Sequence, residues 1–330
     1  NMWAEYYNGA FQRSTNGGNT WSSATNGITE AGAWVTPWMQ DPVTPTTLYS
    51  GFVNVWKSTN GGSSWTKISN FSNTATVTQL AVSPANNQVI WACKPGGLYK
   101  SSNGGTTWTT ITSMPNGNIT YIACSATDPN KAWITYSGFT NSSKVFQTND
   151  QGATWINLSA SIPNIPVNCI VYQNNTADGL YIGTDVGVFF KDSTMNVWQP
   201  FINGMPNVIV SQLAIHYPTG KIRASTYGRG LWESELYVPG TYAPTAAFGS
   251  SKKISCSGAA IDFADYSAGQ PTSWSWSFPG GNPATSTLQN PTVVYNTPGT
   301  YSATLVSTNA NGTDSVTYSN FINIATSIAP

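Results

Sequence analysis

The octapeptide Ser58-Thr59-Asn60-Gly61-Gly62-Ser63-Ser64-Trp65 decides the fold, because the chain repeats it at a nearly fixed interval. Three further copies keep its skeleton and a fourth keeps only the tryptophan: STNGGNTW at 14–21, SSNGGTTW at 101–108, TNDQGATW at 148–155 and KDSTMNVW at 191–198. The tryptophans lie 44, 43, 47 and 43 residues apart. This period, with strand-like runs inside each unit, is typical of the blades of a β-propeller. We call the four well-kept stretches the repeat turns.

Each repeat turn has the residues of a tight hairpin. Asn, Asp and Gly tolerate positive φ, and an Asn or Asp side chain can bond nearby backbone N–H groups. The hydroxyl residue before and the Trp after are expected to close the turn, with the ring over the gap between neighbouring sheets. The turn resembles the Asp-box of the BNR-repeat propellers, although three of the four copies carry Asn where that family carries Asp. The resemblance implies a structural role, on the face away from the ligand, for Asn16, Gly18, Trp21, Asn60, Gly62, Trp65, Asn103, Gly105, Trp108, Asp150, Gly152 and Trp155.

Each unit is predicted to hold four strands, A to D, from the axis outward. In the second unit, alternation of apolar and polar residues predicts them at 38–40, 47–51, 53–57 and 64–68. The first unit begins at strand B with residues 2–7, and the last ends after strand C at 231–234. The sequence therefore predicts an all-β propeller segment over 1–238, a partial ring of four full and two partial blades. Because proteins avoid raw sheet edges, we expect further blades from a longer chain or from a partner chain.

Composition excludes several classes of partner. The 330 residues carry no net charge and only 8% of them are charged, which argues against a nucleic-acid or anionic-membrane partner. Ser, Thr, Asn and Gly dominate the polar residues, and with 14 Trp and 16 Tyr this favours a secreted β-protein. No apolar run is long enough for a membrane span. The chain begins at Asn1 without a signal peptide, so we interpret it as a mature or trimmed segment.

The C-terminal quarter has a different pattern. A Pro- and Gly-containing linker is predicted at 239–244. Residues 245–325 resemble a PKD domain, an immunoglobulin-like sandwich, and a further linker begins at 326–330. The matching stretches are IDFADYS at 261–267, SWSWSFPGG at 273–281, NPTVVY at 290–295 and PGTYSATL at 298–305. Trp274, Trp276 and Phe278 alternate with Ser, which predicts one buried face.

Two phrases in the propeller segment, GAWVTPW at 32–38 and STYGRGLW at 225–232, look like those of sortilin-like, BNR-repeat propellers of secreted bacterial proteins. That resemblance implies export by type IX secretion. It also draws attention to Asp192-Ser193-Thr194 and Asp314-Ser315-Val316, which resemble O-glycosylation sites of such bacteria at Ser193 and Ser315.

The candidate ligand site lies where D-to-A connections and B-to-C turns meet on one face. Trp34 comes from a D-to-A connection, whereas Asp185, Tyr227 and Arg229 come from B-to-C turns. Asp185 and Arg229 belong to neighbouring units and could approach each other near the axis. The structural alternative is a turn-capping Asp and an Arg that ties the last blade to its neighbours. Glu30 is a further candidate for this face.

Catalysis has weak support in the sequence. Glycoside hydrolysis needs two carboxylates facing one cleft, and the 13 carboxylates of the chain show no such pair. With only three arginines, a sialidase site is excluded for this segment. The sole histidine, His216, and the four cysteines form no catalytic or metal-binding pattern, although a disulfide between blades stays open. No cofactor is expected; calcium at Asp262 and Asp265 is weighed against a turn-capping role for these residues.

The sequence thus favours an extracellular or cell-surface recognition or adhesion protein that binds polysaccharide or a surface partner without catalysis. The alternative is a glycoside hydrolase of the xyloglucanase-like propeller type, with catalytic residues partly outside this segment. The fold follows from the repeat, whereas the function follows mostly from resemblance.

Overall fold

The computed structural model describes residues 2–202, 204–238, 244, 246–267 and 271–326. The chain divides into two compact units, Asn1–Glu235 and Leu236–Pro330, which are described separately. The two predicted linkers, at 239–244 and 326–330, lie outside the described residues except for Pro244 and Thr326.

The first unit is a β-propeller segment of six antiparallel sheets, which we call blades 1 to 6. Blade 1 has β1 (Met2–Glu5), β2 (Phe11–Ser14) and β3 (Ser22–Ser23); blade 2 has β4 (Trp38–Gln40), β5 (Leu48–Gly51), β6 (Val55–Ser58) and β7 (Thr66–Lys67); blade 3 has β8 (Gln79–Val82), β9 (Ile90–Lys94), β10 (Gly97–Ser101) and β11 (Thr109–Ile111). Blade 4 has β12 (Ile119–Cys124), β13 (Ala132–Tyr136), β14 (Val145–Thr148) and β15 (Ile156–Asn157); blade 5 has β16 (Val167–Gln173), β17 (Gly179–Thr184), β18 (Gly187–Lys191) and β19 (Gln199–Pro200); blade 6 has β20 (Val210–His216), β21 (Lys221–Thr226) and β22 (Gly230–Glu235). A 3₁₀ turn, Tyr217–Thr219, joins β20 to β21.

The prediction of four full and two partial blades is confirmed. Blades 2 to 5 each have four strands in sequence order, blade 1 begins at its second strand, and blade 6 has three strands. The fourth strands are shorter than predicted: β7 covers only Thr66 and Lys67, although 64–68 was expected. The reason is local, because the backbone N–H of Ser64 bonds the side chain of Asn60 within the repeat turn and is not available to the sheet.

The core lies between the blades, and one position of the second strand shows how it is built. In blades 2 to 5 this position pairs with the residue directly before the octapeptide and holds an aromatic residue that is at most 1% exposed: Tyr49, Trp91, Trp133 and Tyr181. Three of these rings pack in clusters with side chains of the following blade. Each aromatic side chain of this kind buries about 150–250 Å².

Blade 6 departs from this rule. The corresponding residue is Arg223, whose Nε lies 2.8 Å from Oε2 of Glu233 on the neighbouring strand. Lys221 forms a second cross-strand ion pair with Glu235. All four side chains are substantially exposed. The face of blade 6 that corresponds to the aromatic face of the other blades is therefore charged.

The second unit is an immunoglobulin-like sandwich of two sheets. Its strands are β23 (Phe248–Ser250), β24 (Ile254–Cys256), β25 (Ala260–Asp265), β26 (Ser273–Ser277), β27 (Gly281–Asn282), β28 (Thr285–Ser286), β29 (Thr292–Tyr295), β30 (Gly299–Asn309) and β31 (Gly312–Ala325). One sheet has the order β23-β25-β29-β27 and the other β24-β31-β30-β26-β28. The predicted buried face is present: Trp276 and Phe278 are buried and Trp274 is half-buried, whereas the alternating serines are exposed.

Two further expectations from the sequence concern the cysteines and membrane-spanning segments. All four cysteines, Cys93, Cys124, Cys169 and Cys256, are free thiols. Burial raises the pKa of Cys93 to about 11, and that of Cys124 to about 12. No helix in the described part of the chain is long and apolar enough to cross a membrane.

Candidate functional site

The repeat turns lie between the third and fourth strands and close in the same way. The first residue's hydroxyl oxygen accepts the N–H of the turn's last glycine: Ser14 from Gly18 at 2.8 Å, Ser58 from Gly62 at 2.8 Å, Ser101 from Gly105 at 2.9 Å and Thr148 from Gly152 at 2.7 Å. The side-chain oxygen of Asn16, Asn60, Asn103 or Asp150 accepts the N–H four residues later. Their polar atoms are thus engaged within the turn.

Asn replaces Asp in three turns because a hydroxyl group can reverse its hydrogen bond. In the fourth turn, Thr154 Oγ1 donates to Oδ2 of Asp150 at 2.6 Å. In the third turn, the corresponding hydroxyl of Thr107 accepts from Nδ2 of Asn103 at 2.8 Å. The hydrogen bonds from Thr154 and Thr148 lower the pKa of Asp150 to about 2.

Three of the five octapeptide tryptophans form a hydrogen bond between neighbouring blades. Trp65, Trp108 and Trp198 each donate the indole N–H at 2.7 Å to a backbone carbonyl of the preceding blade, namely that of Ala24, Ile68 and Leu158. Trp21 bonds Gly18 of its own turn instead. Trp155 packs edge-on against Trp91, and its buried indole N–H has no partner among the described residues.

The face formed by the D-to-A connections and B-to-C turns carries an exposed aromatic pair. Trp34 is 74% exposed and lies in the connection between β3 and β4, whereas Tyr7 is 54% exposed and lies in the turn between β1 and β2. Their ring centroids are 5.6 Å apart, with an angle of 16° between the planes. Tyr6 and Val35 are exposed beside them. We call these four residues the aromatic platform.

The platform is held by backbone contacts and by one carboxylate. The N–H of Gly32 donates to the carbonyl of Asn8 at 3.1 Å, and that of Asn8 to the carbonyl of Trp34 at 3.4 Å. Glu5 accepts the N–H of Gly9 at 2.8 Å and that of Thr36 at 3.1 Å. These bonds tie the turn of blade 1 to the connection that carries Trp34, so the two rings belong to one ordered surface.

Glu30 is engaged within the same connection. Its carboxylate accepts the backbone N–H and the side-chain amide of Asn54, each at 2.8 Å, and the indole N–H of Trp56 at 3.1 Å. Burial opposes ionisation and is the largest single effect, but these hydrogen bonds, with Lys67 nearby, lower the pKa of Glu30 overall. Glu30 is thus ionised, and its hydrogen bonds join the connection that follows blade 1 to blade 2.

The other sequence candidates lie in two B-to-C turns, one in blade 5 and one in blade 6. Asp185 lies between β17 and β18 and accepts a hydrogen bond from Nδ2 of Asn168 at 3.0 Å. Tyr227 is 79% exposed and Arg229 is exposed, both in the turn between β21 and β22. Among the described residues, Asp185 and Arg229 form no ion pair. The indole N–H of Trp232 donates to the carbonyl of Arg229 and fixes this turn.

A channel of about 760 Å³ runs along the first strands of blades 2 to 6. Its wall includes the side chains of Trp38, Gln79, Tyr121, Asn168 and Gln212. Glu5 is the one charged residue of this lining in the described chain, and its carboxylate is occupied as stated above. The channel therefore suits an uncharged, hydrogen-bonding ligand better than an ion.

Of the remaining candidates, two are exposed serines and two are aspartates that accept hydrogen bonds within the second unit. Ser193 and Ser315 are exposed. Asp265 accepts hydrogen bonds from the indole N–H of Trp274 and the N–H of Ser267, and Asp262 accepts one from Thr292. Over the residues that the structure describes, no cluster of three metal-ligating side chains is found.

Known proteins resemble the chain in the sequence of its second unit and in its fold. The family model of the PKD domain matches residues 241–324, and the second unit is a PKD domain by this match and by its sandwich fold. The GH74 xyloglucanase from Xanthomonas campestris resembles the chain with a TM-score of 0.58 and 16% identity, over 70% of this chain and 41% of that protein. The extracellular domain assigned to a hybrid two-component system of B. thetaiotaomicron gives 0.51 and 13%, over 96% and 48%.

These two likenesses concern the fold, and the chain spans less than half the length of either protein. A comparison with curated proteins finds no match.

Proposed function

We propose that this chain is part of an extracellular or cell-surface recognition protein that binds polysaccharide on the aromatic platform without catalysis. The observation that carries the proposal is the parallel stack of Trp34 on Tyr7, both exposed on the face opposite the repeat turns. Flat exposed aromatic rings are suited to pack against the apolar faces of sugar rings, and aromatic anchors dominate many binding surfaces.

The net charge of the chain and the lining of the channel favour an uncharged ligand. The chain has no net charge, and the channel beside the platform is lined by amide, hydroxyl, aromatic and aliphatic groups, with Glu5 as its one charged residue in the described chain. A neutral glycan offers hydroxyl groups to such a wall without the cost of burying a charge. The PKD domain serves in this proposal as a spacer or adhesion module. The repeat turns support a BNR-repeat propeller in this proposal, and the stretches at 32–38 and 225–232 support the sortilin-like type exported by type IX secretion.

Affinity electrophoresis tests the proposal. Native gels containing single neutral polysaccharides, among them xyloglucan, should retard the full chain in at least one case. Trp34→Ala should weaken that retention at least about tenfold, because it removes an aromatic anchor. Phe139→Ala is the control, since Phe139 is 69% exposed but lies outside the platform, in the turn between β13 and β14 of blade 4. Free migration in every gel, or equal loss in both variants, would contradict the platform as a glycan site.

A xyloglucanase-like hydrolase is the second candidate function, favoured by the fold likeness to the GH74 xyloglucanase. In that case the chain would supply one side of the substrate cleft, and catalytic carboxylates would lie partly outside it. Release of reducing sugar ends from xyloglucan distinguishes the two functions. Retardation without release supports recognition, whereas release by the protein would replace that conclusion by hydrolysis.

A further inference from the structure

The PKD domain contains a groove of about 660 Å³ beside β23 and β31. Its lining combines three aromatic rings, those of Tyr266, Tyr318 and Phe321, with the side chain of Lys253. Tyr266 and Tyr318 are exposed, and Phe321 is half-buried. Hydroxyl and amide side chains also line it, namely those of Ser250, Thr317, Ser319 and Asn320. We call this cleft the PKD groove, and its volume lies in the range typical of ligand sites.

A bulge in β31 shapes one wall of the PKD groove. Tyr301 of β30 pairs with Ile322, and Ala303 pairs with Tyr318, so one residue of β30 lies opposite three residues of β31. A bulge interrupts strand pairing and redirects side chains, and bulges are frequent next to functional sites. The ring centroids of Tyr318 and Phe321 are 5.2 Å apart, with an angle of 33° between the planes. The bulge therefore presents two rings side by side.

The rings of the PKD groove are seated on the body of the domain. Phe248 is buried, and its ring centroid lies 4.7 Å from that of Tyr318 and 5.2 Å from that of Phe321. A Cβ atom on Gly249 would lie 2.6 Å from Cε2 of Tyr266, so the tyrosine ring packs directly on the backbone of β23. The aromatic wall is thus positioned before any ligand binds.

The charge of the PKD groove is positive. Nζ of Lys253 lies 5.2 Å from the ring centroid of Phe321, and the carbonyl of Lys253 accepts the N–H of Asn323 at 2.8 Å, which ties this residue to β31. Within the described part of the domain, Lys253 forms no ion pair and no acidic side chain lines the groove. The aspartates of the second unit accept hydrogen bonds elsewhere, Asp262 from Thr292, Asp265 from Trp274 and Asp314 from Ala246.

We propose that the PKD groove binds the uronate unit of an acidic polysaccharide. The ammonium group of Lys253 receives the sugar carboxylate, and the exposed rings of Tyr266 and Tyr318 pack against the apolar face of the sugar. The side chains of Ser319 and Asn320 offer hydrogen bonds to the sugar hydroxyl groups. An acidic peptide fits less well, because ring faces beside a single cation suit a flat, hydroxyl-rich ring better than a flexible carboxylate side chain.

This site is distinct from the aromatic platform. The two belong to different units of the chain, and the ligands differ in charge. The full chain therefore has one site for a neutral glycan and one for an acidic glycan, and each can be removed by substitution without the other.

Native electrophoresis of the full chain in gels that contain polygalacturonate or alginate tests the proposal. The chain should be retarded, and added salt should weaken the retention because it screens an exposed charge. Lys253→Gln should weaken retention at least about fivefold, since it removes the charged partner of the carboxylate. Lys252→Gln is the matched control: it makes the same change in charge at the neighbouring exposed residue, which does not line the groove, and it should bind normally.

A second pair of variants tests the aromatic wall. Tyr266→Ala should weaken retention in the same gels at least about fivefold, whereas Tyr266→Phe keeps the ring and should bind normally. Circular dichroism and thermal unfolding verify that the variants are folded. Trp34→Ala should leave retention by polygalacturonate unchanged, which separates this site from the aromatic platform.

Three results would overturn the proposal. The first is free migration of the natural chain in both uronate gels. The second is an equal loss of retention in Lys252→Gln and Lys253→Gln, which would indicate a general effect of charge. The third is release by polyglutamate at concentrations as low as those of oligogalacturonate, which would indicate a site for acidic peptides.

Discussion

Replacing Trp108 by Phe should destabilise the propeller unit more than replacing Trp155 by Phe. Both tryptophans are half-buried and occupy the same position of a repeat turn. The indole N–H of Trp108 donates to the carbonyl of Ile68 at 2.7 Å, and at 3.2 Å to that of Gly105, whereas the buried N–H of Trp155 has no partner among the described residues. The loss of ring volume is common to both variants, so the hydrogen bond is what differs.

The expected difference is about 1–2 kcal/mol, the net value of one hydrogen bond plus the cost of leaving its carbonyl unsatisfied. A unit of this size shifts its melting temperature by roughly 2–4 °C per kcal/mol, so Trp108→Phe should melt about 2–8 °C below Trp155→Phe. Differential scanning calorimetry of the full chain measures this, because it can separate the propeller transition from that of the PKD domain. Equal melting temperatures, or a lower one for Trp155→Phe, would refute the role assigned to the indole N–H.

Two further predictions concern the repeat turns. Asp150→Asn should leave stability at pH 7 nearly unchanged, because the Thr154 hydroxyl can accept a hydrogen bond where it now donates one. In the natural protein, the pKa of Asp150 is lowered to about 2, so its ionised form stabilises the fold above pH 4. This contribution is lost as the pH falls toward 2. Urea unfolding at pH 7 and pH 3 should therefore show a smaller acid-induced loss in the variant, and an unchanged loss would contradict the assignment. Gly62→Ala should destabilise the chain by more than about 2 kcal/mol, because a Cβ there would lie 2.0 Å from the ring of Trp3, whereas Gly17→Ala has open space and should cost about 1 kcal/mol for its positive φ alone. Urea midpoints of the two variants test this, and equal midpoints would show that the ring moves aside.

The sequence was sufficient for the architecture because its signals are local and repeated. Turn residues fixed at one spacing mark the hairpins, and apolar alternation marks the strands on either side. The strand Trp38–Gln40 has the predicted bounds for this reason. The incomplete first and last blades followed from the same count.

The site was less predictable, because its contacts join residues that are distant in the chain. Trp34 was identified from its connection, but its stacking partner Tyr7 was missed, although two tyrosines before an Asn-Gly turn were a visible signal. Asp185 was a candidate to approach Arg229 near the axis, but its carboxylate accepts a hydrogen bond from Asn168 in its own blade. Such choices depend on loop geometry, which composition and spacing do not determine.

The charged face of blade 6 has a consequence for assembly. Two identical arcs could, in principle, add blade upon blade in a head-to-tail manner, and such a contact does not close but grows into a filament. Growth at this end would bury the Arg223–Glu233 and Lys221–Glu235 ion pairs, whose loss of water costs more than their attraction returns. The two pairs therefore oppose blade-on-blade addition at this face.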